Sequence, residues 1–442
     1  MRKLILIVGF GLSVGTCHCM SLYAKQDSAW TLEKCIEHAF SQNIQIRKSE
    51  ISNQRFGLYS VEAKAQRLPS ANASASQNFN WSKSNTSGTN GFTGSNGSNF
   101  SVNSGVTIYN ASRINNQIKQ ADLELEGGQY TLETTKESIS LSILNAYLQV
   151  LYAEEQVKNS KKQIESTTGQ LNLAGERLAL QSISVSDYAQ VKSQLASEKL
   201  TLANSESQLS IAKINLMQLM ELPVQDNFNV SHPDLTKELN QSRIPDVKSV
   251  YATALSIKPQ IKNAAVNKEI AGLDEKIAKA SYFPVLSASA GISSGYSSRA
   301  SDVYFNQLNN GLSPSAGFSL SIPIFQRKQA KTSVAVAKLG YNDAELSETD
   351  TKNQLRKSIE QACLDVTSAQ IQYEASIENY NAMQESSALS AEKFNQGIIN
   401  SVDYLVSKTN LIVAESSLLQ TKYNLIFSYK ILDFYMGIPL SL

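Results

Sequence analysis

Apolar and polar residues take turns along 70–82. Ala71, Ala73, Ala75, Phe79 and Trp81 occupy odd positions, interrupted by Gln77, while Ser70, Asn72, Ser74, Ser76, Asn78, Asn80 and Ser82 fill the even ones. A period of two predicts a strand with one apolar and one wet face. The alternation returns in Phe100, Val102, Val106 and Ile108, broken by Ser104, then in Leu286, Ala288, Ala290 and Ile292, and in Phe318, Leu320, Ile322 and Ile324. Four amphipathic strands are predicted, each of roughly 9 to 11 residues, the length a tilted strand needs to cross a bilayer. The other reading is a half-buried soluble sheet. The wet faces are almost wholly Ser, Asn, Gly and Thr and the apolar faces are weak, which favours the strands of an outer-membrane barrel. Residues 85–99, rich in Gly, Ser, Asn and Thr, have no period and predict an exposed hairpin loop.

Elsewhere the period is helical. From about Arg113 to Leu180 no proline interrupts the chain, which predicts one helix of about 100 Å at about 1.5 Å per residue. Its apolar positions Ile139, Ile143, Ala146, Val150, Ala153 and Val157, then Ile164, Leu171, Ala174 and Leu178, follow a coiled-coil seam in steps of three, four or seven. After a break near 181–186 the chain returns through Tyr188, Val191, Leu195, Leu202, Leu209, Ala212, Leu216 and Leu219 and stops at Pro223. Before the first strand, a helical pattern opens at Thr31 and ends at Pro69, because proline cannot continue the hydrogen-bond ladder.

The second half of the chain repeats this plan at an almost constant offset. Ile46 and Pro69 answer to Ile261 and Pro284; one inserted residue later, Ala146, Leu148, Val150 and Ala153 answer to Ala362, Leu364, Val366 and Ala369, Asp187-Tyr188 to Asp403-Tyr404, and Pro223 to Pro439. So long a register predicts two copies of one unit packed with pseudo-symmetry. The boundaries read as a leader over 1–24, a first repeat over 25–223, a polar linker over 224–245 and a second repeat over 246–442. The entering and returning helices, each of roughly 50 Å, match the long helix when stacked end to end. The fold class is therefore mainly α with membrane β. Four strands cannot close a barrel, and edges left in lipid strand unpaired backbone groups at several kcal/mol each. The chain must oligomerise, and three copies supply twelve strands, an even number within the bacterial range.

Composition narrows the function. With 40 basic and 39 acidic residues the net charge is +1, and no run of like charge offers a nucleic-acid footprint. Met1-Arg2-Lys3 before the apolar stretch Leu4 to Val14 reads as a secretory signal peptide, with cleavage near Ala24. A lipoprotein reading would use Cys17, although Thr16 is a poor residue before a lipidated cysteine. Cys35 and Cys363 are left in the mature chain at non-equivalent places, which predicts small core residues and no disulfide. The three histidines are scattered, so no metal, cofactor or catalytic constellation is expected. Phe79, Trp81 and Phe100 either pack singly or belong to an outer aromatic girdle. Asp187 and Asp403 follow the break between long and returning helix, at the end farthest from the strands. Each either complements the positive end of a helix or faces a bore, where three copies of Asp403 would concentrate negative potential.

Three local strings point to a family. Ala278-Lys279-Ala280 through Pro284 precedes a strand, Ile322-Pro323-Ile324-Phe325 leaves one, with Val106-Thr107-Ile108-Tyr109 as its weaker first copy, and Phe394-Asn395-Gln396-Gly397 runs to Asp403-Tyr404-Leu405. With these in order, the chain resembles the TolC family of outer-membrane efflux proteins over almost all of its mature length. The resemblance implies a homotrimer in the Gram-negative outer membrane, a 12-stranded barrel and a periplasmic helical tube. It implies work with a periplasmic adaptor protein and an inner-membrane RND or ABC-type transporter, in a tripartite efflux or type I secretion system. The chain would be a passive duct and not an enzyme. Asp187 and Asp403 fit two of the family's acidic tip places, while Phe394, Ile399 and Val406 stand where the family has a closing tyrosine, a closing arginine and a second constricting acid. Those closing bonds are therefore not carried over. The alternative is a periplasmic coiled-coil or adaptor protein without a pore.

Overall fold

A computed structural model describes residues 29–84, 91–225, 227–239 and 246–442; the leader and Cys17 lie outside the described residues, as does part of the linker. The elements run α1 (Leu32–Gln42), α2 (Ile44–Ala65), β1 (Ser70–Ser84), β2 (Gly91–Tyr109), α3 (Arg113–Ala179), α4 (Val185–Leu219), α5 (Thr236–Leu239), α6 (Val247–Ile257), α7 (Pro259–Lys279), β3 (Val285–Ser297), α8 (Tyr304–Asn310), β4 (Ser313–Ser321), α9 (Gln329–Asn395) and α10 (Ser401–Met436). Both long helices have 67 residues. Each lies beside a helix of its own repeat at either end: α3 beside α2 and then α4, α9 beside α7 and then α10, with α7 also against α3. Half plus half does match the whole.

The entering helix, which the sequence suggested as one run, is broken in both repeats. Asn43 caps α2, its Oδ1 accepting from the amides of Gln45 and Ile46 at 2.9 and 3.4 Å, while its Nδ2 donates to the Leu219 carbonyl at 2.9 Å. At the equivalent place Pro259 starts α7, and Lys258 before it is extended, as a residue before proline must be. The core gathers around this joint. Ile143, Tyr147, Leu151, Leu216 and Met220 pack with Leu32 and Ile46 in the first repeat, and Leu355, Ile359, Val366 and Leu432 with Val250 and Ile261 in the second. Cys35 and Cys363 are buried and unbonded to each other; they take the core places that Val250 and Tyr147 hold in the opposite copies. The segment after Pro223 is less polar in effect than its composition suggests. Phe228 and Val230 are buried, Val230 bridges Trp30 in parallel, and the Tyr147 hydroxyl donates to the Ser231 carbonyl at 2.7 Å.

The four strands form one antiparallel sheet in the order β1-β2-β3-β4. The pairs Ala73↔Val102, Val102↔Ile292 and Ala288↔Phe318 put the apolar sets of all four strands on one face. Residues 91–99, expected in a loop, instead extend β2 against β1 as far as Ser84↔Gly91. Backbone pairing needs no side-chain alternation, so a Gly- and Ser-rich ribbon hides from the hydropathy pattern.

The long helices carry many hydroxyls, and these turn inward on their own backbone. Thr131, Thr134, Thr135, Ser140, Ser142 and Thr168 of α3 each donate to the carbonyl four residues before, as do Thr349, Thr351, Ser358 and Thr367 of α9.

Candidate functional site at the helical tip

Farthest from the strands, α3 turns into α4 and α9 into α10 through two matching reversals. Gln181 and Gly397 stand at equivalent places with φ of 56° and 75°. In each turn the next amide reaches back to close the helix end, Ser182 N to the Arg177 carbonyl and Ile398 N to the Lys393 carbonyl, both at 2.9 Å. This left-handed cap satisfies carbonyls the helix cannot use. Glycine adopts it without strain, whereas glutamine pays for its Cβ.

The helix starts that follow differ. Ser184 and Asp187 form a reciprocal box: the Ser184 hydroxyl accepts from the Asp187 amide at 3.1 Å, and the Asp187 carboxylate accepts from the Ser184 amide at 3.3 Å and hydroxyl at 2.6 Å. Its other oxygen accepts from the hydroxyl of Ser401, which begins α10 of the other repeat, at 2.5 Å. Ser401 is 1% exposed. Hydrogen bonds from Ser184 and then Ser401 hold the Asp187 carboxyl below its ordinary range. At the second start only half of this is built. Asn400 Oδ1 accepts from the Asp403 amide at 2.9 Å, and the exposed Asp403 carboxylate has no partner among the described residues.

Three contacts the sequence did not reveal tie the repeats together. Arg177, in the last turn of α3, donates to the carbonyls of Phe394 and Asn395 at 3.4 and 2.8 Å, placing its cation on the negative end of α9. Within the second repeat, the Phe394 ring stacks on Tyr404 with centroids 5.0 Å apart and planes at 12°. Gln170 of α3 donates to the Tyr404 hydroxyl, whose pKa burial pushes up to about 12, so it stays neutral. Deeper, Lys408 of α10 meets Glu198 of α4 at 3.3 Å and donates to Thr167 of α3, whose hydroxyl is also bonded to Glu198. Lys408 and Glu198 are 6% and 4% exposed. Burial lowers the Lys408 pKa, and the Glu198 carboxylate opposes that shift. No short motif marks these residues; their signal is a charge at a place that the heptad pattern requires to be apolar.

The five residues singled out from sequence are therefore not gathered in one place. Asp187, Phe394 and Ile399 line a polar recess of 660 Å³ with Arg177 and Ser401. Val406, 55% exposed, lies in the next groove between α4 and α10, with Gln190, Gln194 and Leu405. Asp403 borders neither. Among the described residues there is no group of acidic, histidine or cysteine side chains able to hold a metal. None of the described helices is long and apolar enough to cross a membrane.

Comparison with known proteins agrees with the duplicated plan. The model of the outer membrane efflux protein family matches twice, over 35–221 and 250–437. A pyoverdine export outer membrane protein, OpmQ of Pseudomonas aeruginosa, is 31% identical over 202 residues, a match that covers 46% of this chain and 40% of that protein's length. Toxin and drug export protein A of Aggregatibacter actinomycetemcomitans is 22% identical over 398 residues, 89% of this chain and 83% of its own. In fold, the chain is similar to the CmeC outer membrane channel of Campylobacter jejuni, with a TM-score of 0.78 at 16% identity over 98% of this chain and 94% of that one. It is also similar to the MtrE outer membrane channel of Neisseria gonorrhoeae, with a TM-score of 0.69 at 18% identity over 93% and 90%. Both halves match one family model in tandem, and the chain belongs to the outer membrane efflux protein family, with its strands in the outer membrane and its helices in the periplasm.

Proposed function

We propose that this chain is the outer-membrane duct of a tripartite efflux or type I secretion system, working as a homotrimer. In that assembly three sheets join edge to edge into a 12-stranded barrel, and paired helices continue it as a tube. The observation that carries the proposal is the open sheet. β1 and β4 each leave one edge unpaired, and closure around a ring removes both edges from lipid at once. The half-helix pairing beside two 67-residue helices gives four rods per chain, so the ring of strands continues as a ring of helices with one bore. Residues 1–24 are a leader removed on export, 25–223 and 246–442 the two repeats, and 224–245 the linker.

The tube transports passively and depends on an inner-membrane RND or ABC-type transporter and a periplasmic adaptor. Its periplasmic mouth is the tip, with Asp403 of each copy as the free acidic group, Asp187, Phe394 and Ile399 in one recess and Val406 in the next groove. Planar-bilayer conductance of the detergent-purified mature protein tests the duct. A trimeric particle with a cation-preferring pore, whose preference is lost in Asp403→Asn, is the expected result. A single unassociated chain of full helicity, or no conductance at all, overturns the duct, and a preference unchanged in Asp403→Asn removes the acidic ring.

A further inference from the structure

The apolar face of the sheet is not uniform. Across its middle runs a groove of 400 Å³ whose floor is Ala73 and Ala75 and whose walls are Phe100, Val102, Ile292 and Leu312, within the roughly 300–1,000 Å³ of small-ligand sites. The groove crosses β1, β2 and β3 and ends at Leu312, the residue before β4, so it does not depend on a second copy to complete it. It lies level with the centre of β2, slightly outward of the centre of β3 and within the first six residues of β1, so a chain entering from the outer end of the sheet reaches it at mid-depth.

Over the groove, α8 folds back onto the same face. The Ser294 hydroxyl donates to the Leu308 carbonyl at 2.5 Å, the Tyr304 hydroxyl to Ser98 at 3.3 Å, and the Tyr304 ring packs on Tyr296 at 4.7 Å between centroids. Ser98 donates in turn to Gln77 at 2.5 Å, so the polar interruption in β1 is the foot of this shelf. Stacked Phe79 and Trp81 stand beyond it on the same face. An aromatic and hydroxyl shelf above a hydrocarbon floor matches the boundary between headgroups and acyl chains. Two cations, Lys83 on this face and Arg299 in the turn after β3, are exposed at that outer end against the single acid Asp302.

Resting on the outer-membrane assignment, we propose that the groove is a binding site for one acyl chain of lipopolysaccharide. Its lipid A phosphate would lie above the shelf towards Arg299 and Lys83. The outer half of the sheet faces the leaflet that this anionic lipid occupies, and the excess of positive charge suits its phosphates. The small floor residues leave space for a chain that larger side chains would fill.

The test is mass spectrometry of the lipid A retained by the full-length protein, purified from outer membranes and exchanged through detergent until free lipid is gone. The native protein should keep lipid A in stoichiometric amount. Ala75→Leu, which fills the floor, should reduce retention about tenfold, the size of an overpacking penalty. Ala71→Leu, on the same face but outside the groove, should retain it. The proposal is overturned if the native protein keeps no lipid A or only phospholipid, or if Ala71→Leu and Ala75→Leu lose it equally. Bilayer conductance of the same samples keeps the two proposals separate, because a duct that conducts but holds no lipid A defeats only this one.

Discussion

Asp187 and Asp403 stand at the same step of their repeats and have opposite surroundings. The first is bonded to its own cap and to Ser401 of the other repeat; the second is exposed and unpaired. The cause lies two residues earlier. The counterpart of Ser401 is Val185, 71% exposed, which offers no hydroxyl to an aspartate. Arg177 and its counterpart Lys393 diverge in the same way, one gripping the end of α9 and the other exposed. Glu198 and Lys408 are matched by buried Ala414 and exposed Lys192, so the buried ion pair exists once per chain. Duplication supplied two equal seams, and divergence built polar links into the one inside the chain. In the proposed ring, the seam between chains sets Asp403 against Val185 of the next copy and Lys393 against the end of that copy's α3, so the Asp187–Ser401 and Glu198–Lys408 links have no equivalent there.

The strongest test of that asymmetry is Glu198→Gln. It leaves the Lys408 cation buried without its counter-charge and should destabilise the tip by about 3–5 kcal/mol, read as earlier unfolding in denaturant. Lys192→Met on the exposed counterpart should change stability by no more than about 0.5 kcal/mol. Equal effects would erase the difference between seams. Next, Arg177→Ala should cost about 1–3 kcal/mol by stripping a charged donor from two carbonyls, and it should raise bilayer conductance, while Lys393→Ala leaves conductance as it is.

A third test uses pH. Hydrogen bonds hold the Asp187 carboxyl below the ordinary carboxylate range, so its links contribute fully above that range and are lost as pH falls through the lower, folded-state pKa. Ser401→Ala should return the Asp187 carboxyl towards its ordinary value, seen by NMR titration, and weaken the tip by about 1 kcal/mol at neutral pH. No such shift would mean that Ser401 is only a neighbour. The smallest effect is expected from Gln181→Gly, which gives the first turn the residue already present at Gly397 and should stabilise the chain by roughly 0.5–1 kcal/mol in thermal unfolding. Destabilisation would show that the Gln181 side chain does work that its backbone angle conceals.

Periodicity revealed the strands, the long helices and the duplication because each buries one face at a fixed repeat. It could not reveal the break at Asn43, where a side chain replaces backbone partners over a single residue. Nor could it reveal the outer part of β2, whose pairing is all backbone. At the tip, the two aspartates and Phe394 were legible as equivalent or family-like positions. Arg177, Gln170, Ser401 and the Glu198–Lys408 pair were not, since each acts across helices more than 200 residues apart or out of step with the repeat. Glu198 and Lys408 do stand out as charges at heptad places, but spacing along one helix does not show which residue of the other repeat each will meet.

The back-bonded hydroxyls of α3 and α9 bear on shape. A wall stave about 100 Å long has to follow a rounded cylinder, and a threonine or serine bonded to the carbonyl one turn behind bends its helix slightly. In the proposed tube, such small deflections spread over many turns let a stave follow the wall without a proline hinge, keeping its length and its stiffness.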